Sequence, residues 1–191
     1  MLTSITPLGE RGRGNRWVVT MTAYAVGSLL GGATTGLVLG AVGSLLPALP
    51  VLLLAGLVCL AAAVADLGPW RLPGGRRQVD EDWLTRYRGW VYGFGFGYQL
   101  GLGVVTVVTS AATYAVLALA VLTGSPAAGL ALGAVFGITR AVPALVLGRA
   151  RSHGELRVLA TDLERRATLV AQATAGALAV GAAVLLTGAT R

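Results

Sequence analysis

The sequence predicts an all-α polytopic integral membrane protein: a helical bundle of about five transmembrane helices with glycine-rich packing seams. Three observations carry that prediction. Charged residues make up only 12% of the chain against 55% hydrophobic, about half the ~25% charge usual in soluble domains. The apolar residues fall into five long blocks, and a membrane crossing needs about 20 of them. Almost every arginine lies between the blocks, on alternating connections.

The elements follow in order. Residues 1–16 form a polar arm carrying Arg11, Arg13 and Arg16. It lacks the apolar core of a cleaved signal peptide, so it reads as a cytoplasmic arm ahead of a single transmembrane domain, 17–188. The helices are expected at about 17–46, 51–67, 90–122, 127–148 and 168–187, with cytoplasmic loops 68–89 and 149–167. The first block has 30 residues and the third 33, roughly 45–50 Å as ideal helix. Such blocks tilt strongly, extend beyond the bilayer, or break at their glycines. The second block is short and reaches the interface through Trp70. In the loop between second and third blocks, Asp80–Trp90 reads as a short amphipathic helix, with acids in its first turn where the helix dipole favours them. Asp162 and Glu164, preceding Arg165 and Arg166, suit a helix entering the fifth block.

Arginine placement sets the orientation. The arm, the loop bearing Arg71, Arg76, Arg77, Arg86 and Arg88, and the loop bearing Arg149, Arg151, Arg157, Arg165 and Arg166 share one face. With five crossings that face is cytoplasmic, giving N-terminus inside and C-terminus outside in a bacterial cytoplasmic membrane. The net charge of +7 then reflects topology and does not indicate nucleic acid. The lipid bilayer is the expected surrounding, and a second copy or another membrane subunit the expected partner.

Glycines recur at four-residue spacing: Gly93, Gly97 and Gly101; Gly129, Gly133 and Gly137; Gly32, Gly36 and Gly40. In lipid, small residues let helix backbones approach closely, so these read as packing seams. A weak repeat at a shift of 74 residues pairs Tyr24 with Tyr98 and Gly27 with Gly101. It would relate two helical hairpins of like orientation, and transporters place their sites where such repeats meet.

Chemistry-bearing residues are few. Arg140 lies about 13 Å along its helix from the nearest loop, where a cation snorkels, finds a counter-ion or faces water. Asp66, at the end of the second block, is a candidate partner for it. Gln99 requires an interhelical partner or a wet cavity, and it shares its block with Thr106 and Thr109. Arg140, Gln99, Thr106, Thr109 and Asp66 are thus the candidate lining of a substrate path. Pro143 removes a backbone donor and is expected to bend the fourth block. Cys59 is the lone cysteine and His153 the lone histidine, so neither a dithiol nor a metal site is expected. No catalytic set and no cofactor motif are expected either.

Two stretches, GFGFGYQLGLGVVTVV (Gly93–Val108) and GAVFGITRAVPALVLG (Gly133–Gly148), resemble the membrane domain of the cytochrome c biogenesis and thiol-disulfide carriers (CcdA/DsbD-like). The resemblance implies a glycine-rich transmembrane scaffold. The redox cysteines of that family fall at Val104-Val105 and Gly31 here, and Cys59 stands elsewhere. Thiol exchange needs thiolates, so the implied redox chemistry does not carry over.

These features point to a small transporter or permease-like component moving a small solute without thiol redox chemistry. The alternative is a non-catalytic membrane subunit that assembles with and stabilises a larger complex. A lipid-directed enzyme ranks below both, because Asp66 is the single candidate acid at membrane depth.

Overall fold

Glycine, where other bundles use bulk, sets how the helices meet. The computed structural model describes residues 7–68, 83–103, 110–147 and 152–189. All regular structure among them is helical: α1 (Pro7–Gly12), α2 (Trp17–Ser44), α3 (Val51–Leu67), α4 (Trp83–Arg86), α5 (Gly89–Leu102), α6 (Ala112–Leu122), α7 (Pro126–Leu147) and α8 (His153–Ala189). Three of these are long and apolar enough to cross a membrane: α2, α7 and the Gly154–Ala189 part of α8. The α3 and α6 helices are apolar but shorter.

The long α2 stands at the centre, with α5 on one side and α7 on another. Gly93 lies against Thr20, Gly97 against Tyr24 and Gly101 against Ser28, so α5 runs parallel to α2. Against α7 the order reverses: Gly40 meets Ser125 and Gly129, Gly36 meets Gly129 and Gly133, and Gly32 meets Gly133 and Gly137. A β-carbon at any of these glycines would overlap a facing backbone carbonyl, so the seams exist only because side chains are absent. Ser28 adds a polar tie, its hydroxyl donating to the Gly137 carbonyl at 2.7 Å. Elsewhere α3 packs against α8, with Gly56 under Leu186 and, further along, Ala62 in a cluster with Ala111, Ala115 and Leu178. The α6 helix bridges the two groups.

The structure decides between the alternatives left open for the long blocks. The third block breaks. It stops at Leu102, where Gly103 turns left-handed (φ 76°), and helix resumes at Ala112. Gly103 lies beside Phe136 and Thr113, and at the other end Val121 reaches Gly43. The two pieces therefore run in the same direction along α2, as one traverse broken near its middle. The first block, by contrast, is a single 28-residue helix. The fifth helix does not start at 168: α8 begins at His153 and runs 37 residues, about 55 Å, because the charged stretch continues the helix instead of looping. Of the amphipathic segment expected at Asp80–Trp90, the described residues are helical over Trp83–Arg86, and Gly89 then opens α5; residues 80–82 lie outside the described residues. The arm contains α1. Pro143 leaves α7 helical to Leu147.

Candidate functional site

Among the described residues three polar places interrupt this apolar bundle, and two of them border the broken traverse. At the break, Asp66 from the end of α3 faces the start of α6. Its carboxylate accepts from the Ser110 hydroxyl at 2.7 Å and from the Ala111 amide at 2.5 Å. The first amides of a helix lack internal acceptors, and an anion there is favoured by the helix dipole. Asp66 thus caps α6 from a different helix. On the other side of the break, Thr35 of α2 donates to its own helix at Gly31 (3.1 Å) and lies 3.4 Å from the carbonyl of Leu102, the last residue of α5.

Beyond Gly103 the second place begins. The Phe136 ring stands against Gly103, and the Arg140 guanidinium lies over that ring, 5.4 Å from its centroid. Such stacking offsets part of the cost of a cation among apolar groups. Ser28 and Gly137 place this part of α7 beside α2, which sets Arg140 near Tyr24. Asp66, expected as a counter-ion for Arg140, spends its described hydrogen bonds on α6. Gln99, half-buried on α5, has no hydrogen-bond partner among the described residues. Thr106 and Thr109 lie outside the described residues.

The third place was not foreseen. Glu10, in α1, is fully buried. Its carboxylate accepts from the Tyr92 hydroxyl (2.5 and 2.6 Å), the Thr20 hydroxyl (2.8 Å) and the Arg13 guanidinium (2.5 Å). Asn15 donates to the Tyr92 hydroxyl at 3.2 Å, and the Arg13 guanidinium also lies 5.9 Å from the Tyr92 ring centroid. A buried carboxylate is tolerable only when paired and hydrogen-bonded, and here charge-assisted bonds supply that. Thr20 and Tyr92 are each the fourth residue of a helix, so Glu10 also sits beside two parallel helix N-termini. Burial is the largest influence on Arg13 and pulls its pKa down, but bonds to Glu10 and Tyr92 together outweigh it and the pKa is raised. The sequence signal for this cluster was a single acid in a basic arm, and it was missed.

Chemically, the described residues offer a capped carboxylate and a helix end at the break, an arginine close by, and a fastened carboxylate at the N-terminal end of the bundle. No group of three or more metal-ligating side chains occurs among the described residues.

Comparison with known proteins gives a consistent name. The chain is 32% identical over 155 residues to the methylamine utilization protein MauF of Paracoccus versutus, covering 75% of this chain and 57% of that protein. It is 35% identical over 153 residues to MauF of Methylophilus methylotrophus (76% and 54%) and 32% over 154 residues to MauF of Paracoccus denitrificans (75% and 56%). The chain spans about half the length of these curated relatives. No family model matches it, and no solved structure does. The resemblance to thiol-disulfide carriers is overturned, since the relatives found are MauF proteins and nothing points to the carriers. Close backbone packing favours small residues at four-residue spacing in membrane helices generally, so the two glycine-rich stretches do not mark a family.

Proposed function

We propose that this chain is a multi-pass membrane protein serving methylamine utilization as an accessory component, and that it moves a small solute past the break in its third traverse. Likeness to MauF supports the pathway. The observation that carries the permeation half is the break itself, with Asp66 at the start of α6 and Thr35 at the end of α5. Broken helices at bundle depth are costly unless they line a cavity or a binding site, and transporters use them so. In this reading Asp66, Gln99 and Arg140 border the path, joined by Thr106 and Thr109, with the N-terminus on the cytoplasmic side.

The test is disruption of the gene in its native host. Growth with methylamine should fail while growth on an unrelated substrate continues, and an Asp66→Ala copy should restore it poorly. Normal growth on methylamine would remove the proposal.

One observation favours a second reading, in which the chain is a subunit that braces a larger membrane complex. The apolar part of α8 is only 11% buried and rests mainly on α3. A partner covering that helix would account for it. Purification with a stoichiometric second polypeptide, together with collapse of that polypeptide when the gene is deleted, would decide for this reading.

A further inference from the structure

The Glu10 cluster has no role in the path, yet it is the most completely bonded polar group described. The hold is concentrated in one carboxylate. Glu10 is fully buried, whereas Gly12 and Gly14 beside it have open space where a β-carbon would be. Gly14 is left-handed (φ 72°) and turns the chain so that the Asn15 amide returns to the Glu10 carbonyl at 2.8 Å. This is a short element on a glycine turn, fastened to two different helices mainly through one carboxylate, with Asn15 and Arg13 adding contacts to Tyr92. Tyr92 also belongs to the apolar cluster of Met21, Tyr24, Phe96, Ala141 and Ala144, and Arg140 neighbours Tyr24.

We propose that α1 is a releasable strap: the Glu10 carboxylate, held by Thr20 and Tyr92, closes the N-terminal end of the α2–α5 pair, and its release opens the bundle toward Arg140. The closing step stands on the geometry alone; the opening step rests on the permeation reading above. Elements with few contacts beyond one anchoring group open locally at low free energy, without global unfolding. Removing the charge of that group should therefore free the arm and leave the helices in place.

The experiment is amide hydrogen exchange on the full chain in lipid nanodiscs, comparing wild type with Glu10→Gln and Tyr92→Phe. Exchange over residues 9–15 should accelerate tenfold or more in Glu10→Gln and by a smaller step in Tyr92→Phe, with α2 and α5 unchanged. Unaltered exchange over 9–15 would overturn the strap. So would equal acceleration of α2 and α5 in both variants, because the contact would then be a permanent brace. The same proteins in vesicles, with methylammonium as the probe, separate the two steps. Faster flux in Glu10→Gln supports the opening, and wild-type flux that the variant leaves unchanged overturns it. A freed arm with no flux in either protein upholds the strap and removes the permeation reading.

Discussion

Asp66 shows how a side chain can be noticed in a sequence while its hydrogen-bond partners stay illegible. An acid at the end of an apolar block invites pairing with the nearest cation at similar depth, and Arg140 was that cation. Helix ends compete for anions too, and Ser110 with Ala111 won the carboxylate. Nothing in the sequence marks the start of α6, because Ala112–Leu122 is as apolar as the residues before it. Glu10 was illegible for the opposite reason. A lone acid among arginines in a short arm looks solvated, and its partners Thr20 and Tyr92 are 10 and 82 residues distant. At this scale the expectation is that Asp66→Ala costs about 1–2 kcal/mol through loss of the cap. That corresponds to a melting point roughly 3–6 °C lower for a chain of this size, read by thermal denaturation in detergent. Asp66→Asn, which keeps one acceptor, should lose less.

At the scale of elements, the first two blocks were legible almost to the residue: α2 and α3 were expected at 17–46 and 51–67 and lie at Trp17–Ser44 and Val51–Leu67. Uninterrupted apolar length between proline- and arginine-bearing connections was enough to define them. The break at Gly103 was hidden among Gly93, Gly97 and Gly101, which remain helical against a facing backbone, and Gly95, which remains helical against the Trp83 ring. One glycine cannot be told from another until its neighbours are known. The two classes of glycine should respond differently to substitution. Gly133→Val drives a side chain into the Gly32 carbonyl, and overpacking of that kind costs at least 1–3 kcal/mol. Size-exclusion chromatography in detergent should show loss of the monodisperse peak. Gly176, on α8, has open space around it, so Gly176→Ala should elute unchanged and melt no lower.

For the whole molecule, alternation of arginine-rich connections gives an expected topology, N-terminus inside and C-terminus outside, that labelling can test. Because α5 and α6 run along α2 in one direction, the break leaves the third block a single traverse in that expectation. In a Cys59→Ala background, Gly12→Cys should react with a membrane-impermeant maleimide only in inside-out vesicles. Leu46→Cys, in the exposed turn after α2, should react only in right-side-out ones. Labelling of both from the same face would refute the arrangement.

The glycine seams have a further consequence, for the cost of bringing the helices together. Glycine has no rotamers to freeze, so joining α2 to α5 and α7 costs almost no side-chain entropy. The contact between α3 and α8 has to immobilise side chains such as Leu178 and Leu186. The α2-centred trio therefore carries a smaller ordering cost than the α3–α8 pair, and α3 holds the carboxylate at the start of α6. The second half of the broken traverse thus depends for its beginning on the more costly of the two contacts.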